Sequence, residues 1–384
     1  MPELVALDLP GGAAFVDAVA RIFDAGDAVA PLDRRLPPPA AASQLRCLRP
    51  TAVLDESGER RALDGGVPVE PGDALVMATS GSTGEPRGVV LTRDAIGASA
   101  VASSGRLGVD PDRHRWLACL PLAHIGGMSV VLRALLTGTP VTVFDGFDAD
   151  TVLGVGRRGE ATHVSLVATA LARIDAGAFV GVLLGGAAPP AELAPNVVTT
   201  YGMTETGSGV VYNGLALDGV ELAIGTGRDG EGEPGEILVR APMLLRAYRD
   251  GVDPRIAGPD GAGGWLPTGD AGRLLTDGRL QVDGRIAEVV VTGGEKVWPV
   301  AVEQLLAGHP GISEVAIWKR PDADWGERVV AWVVPSDPVD PPTLESLRQL
   351  ARDRLSPWAA PKELVLVDRL PRTGSGKVRR TALR

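Results

Sequence analysis

Residues 79–88 read Thr-Ser-Gly-Ser-Thr-Gly-Glu-Pro-Arg-Gly, four hydroxyl side chains and three glycines in ten positions. They follow directly on the apolar run 74–78, Ala-Leu-Val-Met-Ala. Glycines let successive backbone N–H groups turn toward an anion, and hydroxyls add further donors. A strand that empties into such a segment constrains the fold to one that carries loops to a common ligand-binding edge. The segment is not a Walker loop, because no Lys-Ser/Thr pair follows a G-x-x-x-x-G spacing. A Gly/Ser-rich surface turn has the same composition, so the rest of the chain must decide between turn and phosphate grip.

A chain of 384 residues exceeds one compact core, and two domains are expected. A net charge of −10 argues against nucleic-acid binding through bulk electrostatics. Cys47 and Cys119 make neither a disulfide framework nor, with four histidines, a metal cluster. The opening Met1-Pro2-Glu3 has no basic leader, and no apolar run approaches the roughly 20 residues that span a bilayer. A cytoplasmic protein with no membrane span is expected, and a homodimer is compatible with this composition.

From 74 to 201 apolar strand-like runs (74–78, 116–120, 141–144, 163–167, 179–184, 196–200) alternate with helix-like segments such as 92–104 and 125–136. Thr92 is placed to cap the first helix and Gly138 to end the second. This rhythm predicts an α/β fold with layered sheets. Before residue 70 one helix is expected, near 13–23. Beyond 220, short strands and Asp-Gly turns predict a β-rich subdomain (236–240, 272–275, 280–282). A final α+β unit follows: strand 288–291, helix 299–307, strands 314–319 and 328–334, helix 342–355, strand 363–367. The expected division is a large N-terminal domain, 1–284, and a small mobile C-terminal domain, 285–384.

Further motifs carry chemistry. Tyr201-Gly202-Met203-Thr204-Glu205-Thr206 follows an apolar run. A Tyr there can stack on a purine, Thr204 can donate to a phosphate oxygen, and Glu205 can hold Mg²⁺; a polar turn after a strand is the plainer reading. Gly185-Gly186-Ala187 at a strand end would let a flat base lie on backbone. Asp270, in Thr268-Gly269-Asp270, can accept from ribose hydroxyls, with Arg285 as a nearby cation. Pro371-Arg372-Thr373-Gly374-Ser375-Gly376-Lys377 ends in a lysine that is either a reactive cation or part of a solvated basic tail. No convincing Ser/His/Asp nucleophile set occurs.

These six motifs stand in the order found in the adenylate-forming (AMP-binding) family, and the resemblance runs from about residue 75 to Lys377. It implies a large domain for ATP and a carboxylic acid and a small domain that rotates. It assigns Thr79, Ser80, Gly81, Ser82, Thr83, Gly84 and Arg87 to the phosphates of ATP. Tyr201 and Gly202 would sit at adenine beside Gly186 and Ala187, Thr204 at the α-phosphate, Glu205 at Mg²⁺, and Asp270 and Arg285 at the ribose. Lys377 would bridge the carboxylate and the α-phosphate. Coenzyme A would meet Gly293 and Gly294 in Thr292-Gly293-Gly294-Glu295-Lys296, where a plain turn is the alternative. The chain departs from the family in having Arg87 for the usual lysine, Ala287 for the usual polar hinge, and a short region before the phosphate segment.

Arg133 is the only charged residue between His124 and Asp145. On a helix it shares a face with Gly126, Ser129 and Thr137. A buried guanidinium needs an anion. It therefore either snorkels, pairs with a structural carboxylate, or meets a second carboxylate on the small-molecule substrate, with His124 lining the acyl pocket or serving as a structural histidine. Residues 121–138, PLAHIGGMSVVLRALLTG, resemble the o-succinylbenzoyl-CoA synthetases of menaquinone biosynthesis, where an arginine at this offset meets the benzoate carboxylate. The implied substrates are an aryl dicarboxylate, ATP and CoA. A ligase for another aryl or dicarboxylic acid, an adenylating enzyme that loads a carrier protein, and a nucleotide-sensing relative are the competing readings.

Overall fold

The computed structural model describes residues 1–80, 86–190, 192–225, 234–372 and 378–383. It divides into two compact units, Met1–Leu222 with Val239–Leu266 and Ala223–Leu238 with Pro267–Arg384. Among the described residues no helix is long and apolar enough to cross a membrane.

The first unit holds two seven-stranded sheets. In one, Leu4–Asp8 runs parallel to Ala28–Pro31 and Ala52–Asp55. Leu4, Val5, Ala6 and Leu7 are wholly buried, as expected of a strand covered on both faces. Beside the expected helix, here Ala13–Asp24, the region before residue 70 forms a second, Pro38–Leu48, and these strands, too short to show a period. Farther along the sheet, Asp73–Ser80 returns antiparallel as Pro86–Thr92, with Thr79 opposite Arg87 and Ser80 opposite Pro86. The described parts of the phosphate-type segment, residues 79–80 and 86–88, therefore lie on the two arms of a hairpin. Pro86 is tolerated because it opens its strand. Ala247–Tyr248 then pairs with the outer side of Pro86–Thr92. Its approach explains Gly88, where a Cβ would lie 2.8 Å from the Cβ of Arg249.

The second sheet sets Val141–Val143, Trp116–Ala118, His163–Leu166, Gly181–Leu184 and Val197–Met203 side by side and parallel. Ser208–Tyr212 and Leu215–Ala216 finish it antiparallel. Leu117, Val152, Val164, Val182, Leu184 and Val197 form its core against neighbouring helices. Helix Arg93–Leu107 begins where Thr92 Oγ1 accepts from the Ala95 N–H at 3.1 Å, and Ile125–Thr137 ends at Gly138 in the left-handed conformation. The α/β layering expected over 74–201 is present.

Gly202 sits at a bulge between Val197–Met203 and Ser208–Tyr212. A Cβ there would come 2.1 Å from the Ser208 carbonyl oxygen, and backbone cannot swing aside as a flexible side chain can. Gly202→Ala is expected to lower stability by about 1–3 kcal/mol, read from urea or thermal midpoints. An unchanged midpoint would mean that the bulge relaxes freely.

A four-stranded sheet orders Glu221–Ile224, Gly235–Arg240, Leu266–Leu274 and Leu280–Arg285. Beyond it, the long hairpin Ile312–Asp322 and Gly326–Pro335 takes Glu363–Leu366 as a parallel neighbour. Helices Pro299–Ala307 and Leu344–Arg354 supply Val302, Leu306 and Leu347 to a core with Val329, Ala331 and Val333. The expected C-terminal α+β unit is thus formed, with a longer hairpin than its apolar runs suggested.

Candidate active site

In the first unit, Gly181–Leu184 and Val197–Met203 are parallel neighbours, so Gly186 and Tyr201 emerge at the same carboxyl edge. Ligands in open α/β sheets usually bind at that edge. Thr200 Oγ1 donates to the Leu184 carbonyl at 3.2 Å and leaves no room for a side chain at Gly185, whose Cβ would lie 2.7 Å from that oxygen. Gly186 takes a φ of 86°, and Gly186 and Ala187 are exposed, a bare backbone shelf beside half-buried Tyr201.

Thr204 and Glu205 lie in the short helical turn Thr204–Thr206 that follows. Thr206 Oγ1 accepts from the Met203 N–H at 2.9 Å, and the Leu245 N–H donates to the Glu205 carbonyl at 2.8 Å. Tyr248 Oη donates to Glu205 Oε1 at 3.2 Å. Arg87 lies over the Tyr248 ring, 3.6 Å from its centre, and pairs with Asp250 at 3.0 Å. Burial and then the Glu205 charge push the Tyr248 hydroxyl up to about 12, so it is a donor at neutral pH. Tyr248 and Asp250 gave no sequence signal. Gly81, Ser82, Thr83, Gly84 and Lys377 lie outside the described residues, as does the Ser80 side chain.

Arg133 is 3% exposed on the helix Ile125–Thr137. Its Nε donates to Ser103 Oγ at 2.7 Å, and its guanidinium carbon lies 4.8 Å from the centre of the Trp116 ring. Its Nη1 is buried with no hydrogen-bond partner among the described residues, as are Trp116 Nε1 and Ser104 Oγ. A buried guanidinium nitrogen without an acceptor favours an anion beside it. Ser129 and Arg133, one helical turn apart, line a cavity with Ile96, Ser99 and Ala100 of the facing helix and with Gly207, which follows the Glu205 turn. Snorkelling is excluded by the burial, and no structural carboxylate reaches this arginine among the described residues. Behind Trp116, the buried His163 imidazole is pushed down to about 4 by burial and by the charges of His114 and Arg133, so it adds no cation.

His124, immediately before that helix, is held from the N-terminal region. Arg35 forks onto Asp33, both contacts 2.8 Å, and its Nη2 lies 3.2 Å from His124 Nε2. Burial pushes the Asp33 carboxyl up, but the Arg35 hydrogen bonds prevail and hold it below its usual range. Asp33 and Arg35 carry no motif that would mark them in the sequence.

In the second unit Asp270 and Arg285 are cross-strand partners, with Arg285 Nε 2.8 Å from Asp270 Oδ1. The cation expected near the ribose is thus already tied to the carboxylate expected to hold it. Gly293 and Gly294 form the two-residue turn between Val290–Thr292 and Glu295–Val297, with φ of 62° and 86°. The Gly293 N–H donates to the Trp325 carbonyl at 2.9 Å, and Lys362 Nζ lies 3.6 Å from the centre of the Trp325 ring.

No group of three or more His, Cys, Asp or Glu able to hold a metal occurs among the described residues. Glu205 offers a single half-buried carboxylate with one oxygen engaged by Tyr248. That fits Mg²⁺, which is usually bound by one or two carboxylates together with substrate phosphates and water.

Residues 56–249 match the AMP-binding enzyme family and residues 301–377 match the AMP-binding enzyme C-terminal domain. A probable 2-succinylbenzoate–CoA ligase of Mycobacterium tuberculosis is 40% identical over 353 residues, which cover 84% of this chain and 86% of that protein. The o-succinylbenzoate CoA synthetase of Bacillus subtilis, solved with its acyl-adenylate intermediate, superposes with a TM-score of 0.84 at 30% identity, over 100% of this chain and 88% of that one. The same Bacillus subtilis enzyme solved with ATP and magnesium gives 0.82 at 30% identity, over 99% and 89%. The motif order, the two matched regions and these relatives agree: this chain belongs to the AMP-binding enzyme family.

Proposed function

We propose that this chain is an ATP-dependent acid–thiol ligase that adenylates o-succinylbenzoate and transfers the acyl group to CoA, giving o-succinylbenzoyl-CoA, AMP and pyrophosphate, a step of menaquinone biosynthesis in the cytoplasm. The observation that carries the substrate is Arg133, a buried guanidinium with an unused Nη1 at a cavity lined by Ser99, Ser129 and Gly207. A monocarboxylic acid would leave that charge unanswered, whereas a second carboxylate would satisfy it. The names of the relatives point to the same acid.

The chemistry joins two anions. A carboxylate oxygen attacks the α-phosphorus of ATP, the bond to the β-phosphate oxygen breaks, and pyrophosphate leaves; thiol attack on the acyl carbon then expels AMP. The protein contributes positioning and charge compensation. Arg133 and Ser129 hold the far carboxylate, and His124 lines the mouth of the acyl site. The carboxylate to be activated would lie beside Thr204, which would donate to the α-phosphate; Gly207, which lines the small cavity at Arg133, follows that turn. Tyr201 and Gly202, with the shelf at Gly186 and Ala187, hold adenine; Asp270, oriented by Arg285, takes the ribose. Residues 79–84 and Arg87 hold the outer phosphates. Glu205 would hold Mg²⁺, which supplies charge neutralisation at the phosphates when bound. Residues 285–384 form the part that reorients between the half-reactions, and Gly293 and Gly294 let the thin pantetheine arm pass close to backbone.

The test is pyrophosphate release across a panel of carboxylic acids, with mass detection of the acyl product. o-Succinylbenzoate is expected to exceed monocarboxylic analogues by about a hundredfold in kcat/KM, in line with losing a charge-assisted pair, and to yield a CoA thioester. Equal turnover of monocarboxylic acids would overturn the substrate, and adenylation without thioester would point to a carrier-protein acceptor.

A further inference from the structure

Tyr248 belongs to none of the motifs, yet it touches two of them. Its strand, Ala247–Tyr248, is bound edgewise to the phosphate hairpin, with Tyr248 opposite Val89 and the Arg249 N–H donating to the Gly88 carbonyl at 2.7 Å. The strand is pinned on both sides. Before it, Arg246 forks onto Asp73 at 2.8 and 2.9 Å; after it, Arg249 donates to the Leu48 and Pro68 carbonyls at 2.9 and 3.1 Å. The phenol is thus carried on a rigid base. One face of its ring takes the Arg87 guanidinium, and its hydroxyl reaches Glu205 Oε1. Glu205 is also held through its backbone by Leu245 of the same segment.

We infer that Tyr248 is a positioning residue that ties the phosphate hairpin to the carboxylate of Glu205, fixing one carboxylate oxygen so that the other faces the metal-bound phosphates. The inference rests on the proposed role of Glu205. A tyrosine that only filled space would need its ring and not its hydroxyl, since the ring alone supports Arg87. A carboxylate oriented before binding loses less rotational freedom when nucleotide and metal arrive. The arrangement also places Arg87 where a ring and Asp250 hold its planar cation, a geometry that an ammonium would share only in part.

The experiment measures ATP binding by calorimetry, with excess Mg²⁺ and separately with EDTA, for the wild type, Tyr248→Phe, Glu205→Gln and the double variant. Phenylalanine keeps the ring under Arg87, and matched thermal melts check that the fold is kept. Tyr248→Phe is expected to weaken binding of ATP with Mg²⁺ about 5–10-fold, the net size of one ordinary hydrogen bond, and to change metal-free ATP binding less than twofold. In the Glu205→Gln background the same change is expected to have no further effect. Wild-type affinity in Tyr248→Phe, or equal weakening with and without Mg²⁺, overturns the inference. If instead Glu205→Gln itself binds ATP and Mg²⁺ normally, it is the assignment of Glu205 that fails, and the inference falls with it.

Discussion

Replacing Lys377 by alanine is expected to slow acyl-adenylate formation by about a thousandfold, while thioester formation from supplied acyl-AMP stays within a few-fold of wild type. The two half-reactions differ in what they ask of a cation. In adenylation a carboxylate approaches a polyanion, and charge accumulates between the attacking oxygen and the α-phosphate; a single well-placed donor at such a point is worth about 10²–10³ in rate. In thiolysis the anhydride is already formed, AMP is a good leaving group, and no second polyanion must be brought in. A compact ammonium on a flexible stem, set after two glycines in Gly374-Ser375-Gly376-Lys377, suits a group that serves one step and then withdraws. Lys377 lies outside the described residues, and its assignment rests on that sequence and on the C-terminal family match, which ends at residue 377. ATP–pyrophosphate exchange reads the first step, and synthetic acyl-AMP with CoA reads the second. Normal exchange in Lys377→Ala would remove the lysine from the mechanism; equal loss of both steps would show a folding defect or a shared role.

Which parts of the site were legible in the sequence follows from how local their signals are. Helix Ile125–Thr137 could be read because a long apolar run ends at a glycine, and Arg133 stood out as its one charge. What surrounds Arg133 could not be read. Ser103 lies 30 residues away on a helix of small residues, Arg93–Leu107, whose Ser99, Ala100 and Ser103 show no apolar stripe and gain meaning only when the facing helix is in place. Pro86–Thr92 was hidden because Pro-Arg-Gly resembles a loop, although its first three residues are the return side of the phosphate hairpin. Tyr248 sits on a strand of two residues, too short for any periodicity, and meets Glu205 across 43 residues. Asp33 and Arg35 reach His124 across a still longer separation, from a region whose sequence suggested a single helix. The motifs assigned to the nucleotide are contiguous and therefore visible, whereas the residues packed against them are brought together by the tertiary fold.

Arg133→Ala is expected to raise KM for o-succinylbenzoate by about 10²–10³-fold and to leave KM for ATP within twofold. The first figure corresponds to about 3–4 kcal/mol, the size of a desolvated two-bond contact between guanidinium and carboxylate. The arginine is already out of water in the free protein, so the desolvation of the cation is borne by folding and not by substrate binding. A carboxylate arriving at Nη1 then regains Coulomb energy in a medium of low dielectric. The second figure follows from placement: the residues assigned to adenine and the α-phosphate, Gly186, Tyr201 and Thr204, do not line the cavity at Arg133. Stability should change little, because removing an incompletely paired buried charge is favourable while the space it leaves is not. Arg133→Met, nearer in volume, reduces the second effect and should show the same rise in KM with an undiminished melting temperature. Two results would instead make Arg133 a structural residue: a marked loss of stability in both variants, or an unaltered preference for the dicarboxylic acid over its monocarboxylic analogue. The analogue comparison is the sharper of the two. Wild type must lose most of its affinity when the second carboxylate is absent, and Arg133→Met must lose almost none, since the charge that carboxylate would have met is already gone.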